Sequence, residues 1–318
     1  MKVAAVADIG GTHTRVALVA PDGSVLAAHR WLPSAKHDAP LMIRELVAHL
    51  LRLAGEYQID RRHIVGLGAS VAGELDATNG YLYDAVNLGW RELRLADLLE
   101  AEAGMPALIE MDAHAAVIGE SWLGLGQQAR NLALIIVGTG IGAGLILGGE
   151  VYRGNDGLAG EFGHTCVQMN GPICGCGRFG CVEAMASGTA IAAAAHAAIH
   201  RGANSVLGAT LSNGQLTASD VFGAARQGDA CAAAIVRDAG RALATAITNL
   251  IHLLSPEWIV LSGGVAINNG DLLLPIVQAG VDLELGYWAR RKPHPIVVSK
   301  LGDDGGLLGV ARRVFERV

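Results

Sequence analysis

Between Gly157 and Glu183 the chain reads GLAGEFGHTCVQMNGPICGCGRFGCVE, and this stretch limits what the chain can fold into more than any other. It carries four of the five cysteines, Cys166, Cys174, Cys176 and Cys181, together with His164, Glu161 and Glu183. His164, Cys174, Cys176 and Cys181 stand in a His-x9-Cys-x-Cys-x4-Cys array. One imidazole and three thiolates are the ligand set of a closed tetrahedral Zn²⁺ site, structural because no coordination position stays open for water. A metal clip here would hold the flanking carboxylates Glu161 and Glu183 near each other. The competing reading is a pair of disulfides or inert small residues in a turn, although Cys174 and Cys176 are too close in sequence to bridge comfortably. Gly171, Pro172, Gly175, Gly177 and Gly180 supply the turn formers that a compact knuckle needs. Cys166 and Cys231 read as free thiols outside the ligand set.

With 318 residues, 51% hydrophobic and 17% charged, the chain can bury a large core and is expected to form two domains. The expected division is a smaller N-terminal α/β domain over 1–117, on which a closing helix at 303–318 can pack back, and a larger α/β domain with the zinc site over 118–302. A net charge of −6 without a basic stripe gives nucleic acid nothing to hold. No helix-turn-helix segment precedes the first strand. MKVAAVADIGG lacks the charged start and cleavage site of a signal peptide, and no apolar run is long enough to span a bilayer. Thiols poised for metal fit a reducing cytoplasm.

Val3 to Ala7 reads as a buried strand ending in Asp8-Ile-Gly-Gly-Thr-His-Thr, and Arg15 to Val19 as the returning strand of a hairpin. Gly10 and Gly11 let the backbone approach an anion, Thr12 and Thr14 add hydroxyl donors, and Asp8 suits an outer-sphere contact to a phosphate-bound Mg²⁺. The device recurs: Asn131 to Val137 runs into Gly138-Thr139-Gly140-Ile141-Gly142-Ala143-Gly144, and Leu145 to Leu147 resumes a strand. Two such loops, each between strands, argue against a Walker or Rossmann turn and for two similar lobes gripping one nucleotide. Pro40 to Gln58 reads as an amphipathic helix, Ile64 to Ser70 as a strand ending near Gly73, and Leu95 to Ala103 as a short helix. Ala107 to Glu110 is a strand, with Asp112 at the start of a helical run, Ala113 to Trp122. A carboxylate there is placed for chemistry, although the position taken by itself favours a helix N-cap. Gly188 to Ile199, Thr217 to Ala225 and Ala230 to Leu254 read as helices. Trp258 to Leu261 is a strand ending in Ser262-Gly263-Gly264-Val265, a third glycine turn that would clear room for a base or ribose. Ile296 to Ser299 gives a further strand and Gly306 to Arg317 a closing helix.

Asp8-Ile-Gly-Gly-Thr, Gly138-Thr-Gly-Ile-Gly and Ser262-Gly-Gly-Val, in that order around the His164, Cys174, Cys176, Cys181 cluster, resemble the ROK family of sugar kinases and repressors. The likeness covers essentially the whole chain, and its most specific part is the knuckle within Gly160-Glu-Phe-Gly-His and Cys-Gly-Cys-Gly-Arg-Phe-Gly-Cys-Val-Glu183. The resemblance implies two actin/hexokinase-like (ribonuclease H-like) α/β domains with an interdomain cleft, ATP with Mg²⁺, a structural Zn²⁺, a hexose substrate and a homodimer. It implies Asp112 as the base on the sugar's primary hydroxyl, with Glu161, His164 and Glu183 around the ring and the backbone of Gly73 against it. His164 can serve twice, one ring nitrogen on zinc and the other toward the sugar. The family's repressors carry an N-terminal winged helix absent from this sequence, which favours a kinase. Two departures stand out. Glu110-Met-Asp-Ala-His114 replaces the usual Glu-Asn-Asp-Ala-Asn, so Met111 stands where an amide normally meets sugar hydroxyls, and Ala72 replaces the usual proline.

The activity expected is transfer of the ATP γ-phosphoryl group to the 6-hydroxyl of a hexose, glucose first. N-acetylmannosamine or another N-acetylhexosamine is the alternative and fructose the third. A sugar sensor without turnover is the reading from another class, against which the intact Asp112 speaks.

Overall fold

The structure is a computed structural model, and it describes residues 2–11, 13–35, 37–127, 129–212, 214–287 and 294–317. It divides into two compact units. The first comprises Met1–Gln128, Gly144–Ala159 and Asp303–Val318, and the second Ala129–Ala143 and Gly160–Gly302.

In the first unit the apolar opening run becomes β1 (Val3–Ile9), which turns back as β2 (Thr14–Val19) and β3 (Val25–Trp31). β4 (Ile64–Val71) and β8 (Ala107–Met111) complete a five-stranded sheet in the order β3-β2-β1-β4-β8. The hairpins are antiparallel, whereas β1 with β4 and β4 with β8 pair in parallel. This sheet is covered on both faces, so β1 and β4 read as nearly unbroken apolar runs. A smaller antiparallel sheet joins β5 (Glu74–Asp76), β6 (Tyr81–Ala85) and β7 (Trp90–Leu93).

Helix α1 (Ala39–Glu56) starts where the Asp38 side chain accepts a hydrogen bond from the Leu41 amide at 3.0 Å, with Pro40 in its first turn, and it buries Met42, Ile43, Leu46, Val47, Leu50 and Leu53. α2 (Leu95–Ala103) stops at Gly104, whose φ of 60° closes the helix in the left-handed region. α3 (Asp112–Leu123) leaves the end of β8 directly and packs on the closing helix, Asp304–Glu316. Here small residues are a steric requirement. A Cβ on Gly309 would lie 1.7 Å from the carbonyl oxygen of Ala115, and one on Gly119 would lie 2.1 Å from that of Gly305.

The second five-stranded sheet has the order β11-β10-β9-β12-β13, from β9 (Leu132–Val137), β10 (Ile141–Leu147), β11 (Glu150–Val151), β12 (Trp258–Ser262) and β13 (Ile296–Val298). β9, β12 and β13 run parallel. Helices α4 (Glu183–Ala186), α5 (Gly188–His200), α6 (Leu207–Ser212), α7 (Ala218–Arg226), α8 (Ala230–Leu254) and α9 (Gly263–Leu285) belong to the second unit, and the closing helix is α10 (Asp304–Glu316).

Two expectations are corrected. Ser262 to Val265 is not a free turn: β12 runs straight into α9, with Gly263 and Gly264 as its first residues. The second glycine loop is also shorter than expected, because β10 begins at Ile141 and takes Gly142 and Gly144 into the strand. Among the described residues no helix is long and apolar enough to cross a membrane.

Candidate active site

In the first unit the end of β1 and the start of α3 bring two carboxylates together. Asp8 occupies the penultimate position of β1, and its carboxyl is pushed up to about 6 by burial first and by the negative charge of Asp112 second. At the hairpin tip the Gly10 amide donates to the carbonyl of His13 at 3.1 Å, and Gly11 lies close against Asn87. Thr12 lies outside the described residues. Thr14 is fully buried as the first residue of β2, with its hydroxyl shut off from solvent.

Asp112 is the first helical residue of α3. Met111 takes the N-cap position with no side-chain capping bond, so Asp112 does not cap the helix. Its Oδ1 accepts from the Ala113 amide at 2.7 Å. Met111 is 7% exposed, a buried apolar side chain beside the carboxylate. Gly73 has a reason for lacking a side chain besides ligand approach, since a Cβ there would lie 2.4 Å from the carbonyl oxygen of Asp84.

In the second unit the knuckle residues converge. The donor atoms of His164, Cys174, Cys176 and Cys181 lie within 4.8 Å of one another. Cys176 and Cys181 sulfurs are 3.8 Å apart, and Cys174 Sγ is 3.6 Å from His164 Nδ1. Tetrahedral zinc with Zn–S of about 2.3 Å and Zn–N of about 2.0–2.1 Å requires edges of about 3.8 and 3.6 Å, so the cluster fits that ion. Burial, then the neighbouring Cys176 and Cys174, hold the Cys181 thiol up to about 12, a penalty that a central cation reverses by stabilising the thiolate. Cys166 pairs with Cys181 only through a backbone bridge and stays outside the set, as does Cys231.

The carboxylates beside the knuckle are placed by it. His164 ends a short 3-10 turn (Phe162–His164) and turns Nε2 toward Glu161 Oε2, 3.8 Å away. Glu183 opens α4. Its Oε2 accepts from the Ile141 amide at 2.8 Å, while Cys174 Sγ lies 3.8 Å from Oε1. Glu183 therefore links the His/Cys cluster to the second glycine loop. That loop is also tied to α5: the Gly188 amide donates to the Gly138 carbonyl at 2.8 Å, and the Thr189 hydroxyl to the Thr139 carbonyl at 2.9 Å. A Cβ on Gly140 would collide with Glu183 Oε2 at 2.6 Å.

Gly138, Thr139, Thr189, Thr217, Gly264 and Asn268 are among the residues around a cavity of about 600 Å³ in this unit. The α9 N-terminus borders it, where Ser262 makes no side-chain cap bond. Sequence reasoning found Gly138 and Gly264 of this cavity but missed Thr189 and Asn268, which sit on helices, and Thr217, the N-cap of α7, because the three form no motif among themselves. The structure thus gathers Asp8, Gly10, Gly11, Gly73 and Asp112 in the first unit, and Glu161, His164, Glu183, the knuckle, the loop Gly138–Gly140 with Gly142, and Gly263–Gly264 in the second.

Comparison with known proteins bears on this arrangement directly, because the ROK family model matches residues 4–316. The chain belongs to the ROK family. It is similar to a glucokinase of Halalkalibacterium halodurans, 37% identical over 95% of this chain and 92% of that one. It is 32% identical to an N-acetylmannosamine kinase of Escherichia coli, over 96% of this chain and 95% of the relative. Among solved structures, a ROK family glucokinase from Streptomyces griseus in complex with glucose and AMPPNP superposes with a TM-score of 0.81, at 30% identity and 99% coverage of both chains. The mixed α/β architecture in two units is thus the ROK sugar-kinase fold.

Proposed function

We propose that this ROK protein is an ATP-dependent glucose kinase that transfers the γ-phosphoryl group to the sugar's 6-hydroxyl. The observation that carries the reading is the pair Asp8, next to last in β1, and Asp112, the first residue of α3 directly after β8, on strands that both run parallel beside β4 and close enough that the charge of Asp112 raises the Asp8 carboxyl. Asp112 accepts the hydroxyl proton as the alcohol oxygen attacks. Phosphoryl transfer passes through a loose transition state, so positioning and charge neutralisation are most of what the protein must supply. Asp8 would hold Mg²⁺ through its water shell, and that ion offsets the phosphate charge. Backbone amides of Gly10 and Gly11, and those of Gly138, Thr139, Gly140 and Gly142, serve the phosphates with the hydroxyl of Thr12, whereas the fully buried hydroxyl of Thr14 is out of their reach. Gly263 and Gly264 give the nucleotide a flat approach, consistent with anion binding at a helix N-terminus. Glu161, His164 and Glu183 hold sugar hydroxyls, and the Gly73 backbone meets the ring. Zn²⁺ bound by His164, Cys174, Cys176 and Cys181 supplies a rigid support for those three side chains.

The glucokinase relatives favour glucose. Buried, apolar Met111 together with the N-acetylmannosamine kinase relative favours an N-acetylhexosamine as the second reading. Coupled ADP release over glucose, mannose, N-acetylmannosamine, N-acetylglucosamine and fructose separates them, and sugar binding without turnover on any of them would make the protein a sensor. Asp112→Asn should keep sugar and nucleotide binding while kcat falls about 10²–10⁴-fold. Wild-type turnover in that variant would remove Asp112 from the chemistry. We extend the reading to a cytoplasmic homodimer that binds neither nucleic acid nor membranes, for which light scattering on the purified protein gives the mass.

A further inference from the structure

Glu110 is the next-to-last residue of β8 and only 1% exposed, yet it carries a carboxylate. Its Oε2 accepts from the Arg153 guanidinium and lies 3.7 Å from Arg313 Nε. On the other side, Oε1 lies 3.6 Å from His114 Nδ1 and accepts weakly from the Met111 amide at 3.3 Å. His114 is also 1% exposed, and its Nε2 meets the carbonyl oxygen of Ala159 at 3.0 Å. Burial, the largest single influence, pushes the Glu110 carboxyl up, but hydrogen bonds from His114 and Arg153 outweigh it and hold the group below its ordinary value. A buried ion pair of this kind is weak support for stability, because desolvation cancels much of the attraction. Its place in the fold suggests a different use.

Asp112 lies midway between Glu110 and His114, at the junction where strand becomes helix. Both neighbours are fastened to one segment, Glu110 through Arg153 and His114 through Ala159, the two ends of the stretch 153–159. The peptide units that aim Asp112 are therefore fixed on both sides. We infer that Glu110, His114 and Arg153 are positioning residues that clamp the β8–α3 junction and set the direction of the Asp112 carboxylate. The inference rests on the reading of Asp112 as the base. None of the three touches the transferred group, and they act by holding Asp112 where its oxygen meets the substrate hydroxyl. A misplacement of about 1 Å at a reacting group is enough to cost about 10²-fold in rate.

The test uses the full-length enzyme with glucose and ATP. Glu110→Gln and His114→Asn loosen the clamp, and Glu110→Gln combined with Arg153→Met removes both charges so that none is left buried and unpaired. We expect kcat to fall roughly 10–100-fold in the double variant, with the KM for ATP and the glucose dissociation constant within about twofold of wild type. Arg153→Lys, which keeps a cation opposite Glu110, should recover part of the loss. The deciding measurement repeats Glu110→Gln in the Asp112→Asn background. Residues that act through Asp112 cost nothing further there, whereas a role in stability alone multiplies the two losses. Multiplicative losses, or a kcat of the double charge variant within twofold of wild type, overturn the clamp. Wild-type turnover of Asp112→Asn alone overturns the base assignment and the clamp with it. An inactive Asp112→Asn beside a fully active Glu110→Gln/Arg153→Met removes the clamp and leaves the base assignment standing.

Discussion

Asp8 is the residue whose ionisation the fold disturbs most informatively. Its carboxyl sits at about 6 in the folded chain against 3.8 in an open one, raised by burial and by Asp112. Between those values the native state holds the extra proton, so stability falls as pH rises through the window and levels off above it. Asp8→Asn removes the charge, and it should therefore stabilise the chain by up to about 3 kcal/mol above pH 6 and by nothing near pH 3. Denaturation midpoints of both proteins at pH 4, 6 and 8 check the sign, and a variant less stable at pH 8 refutes it. Phosphoryl transfer should fall in the same variant. Met111 is the second informative residue. If an amide there meets a sugar hydroxyl, Met111→Asn raises kcat/KM for glucose by roughly three- to tenfold, since such a bond contributes about 0.5–1.5 kcal/mol. If Met111 packs on an acetyl methyl instead, the same change lowers activity on N-acetylmannosamine, and an unchanged profile leaves it as core filler. The candidate residues Asp112, Glu161, His164 and Glu183 could be picked out of the sequence because they stand in short motifs. The pairing of Glu110 with Arg153 was not, because nothing in sequence links positions 43 apart.

The elements were legible where period and caps agreed. α2 and α8 begin and end where the pattern places them, and α1 starts one residue early on its Asp38 cap. α9 was invisible: Asn269 has non-helical angles inside it, Pro275 interrupts it, and its two leading glycines read as a turn. β3 and the small three-stranded sheet were missed because their strands are short or half-exposed and carry charges. Packing between α3 and α10 depends on a close approach that only the structure reveals. Gly309→Ala sets a methyl against the Ala115 backbone, which cannot retreat like a side chain, and should cost about 1–3 kcal/mol or more, read as a lower urea midpoint at constant slope. A midpoint equal to wild type would mean that the two helices part without strain. At the knuckle, Cys176→Ser should lower zinc content below one ion per chain. It should also weaken binding of a non-hydrolysable ATP analogue, because Glu183 joins the Cys174 side of the cluster to the Ile141 amide. Full zinc with unchanged analogue binding would separate the metal from the loop.

At the scale of the whole molecule, the two glycine hairpins mark two sheets with matching strand plans, each a hairpin followed by strands added alongside. That repetition was readable from Asp8–Thr14 and Gly138–Gly144, whereas the path of the chain between units was not, since contacts and not composition decide where Gly144–Ala159 belongs. The first unit is assembled from three separate stretches, the last of which contains α10, packed on α3, β1, β2, β4 and β8. On the ribosome this sets an order of events. Once Ala159 has been made, synthesis must pass through all of Gly160–Gly302 before α10 can arrive, a wait on the order of ten seconds at elongation rates of about 5–20 residues per second. During that wait the faces of β1, β4 and α3 that α10 will cover are apolar and open. The nascent first unit thus keeps this apolar surface uncovered until α10 emerges, while the second unit is already synthesised and free to fold ahead of it.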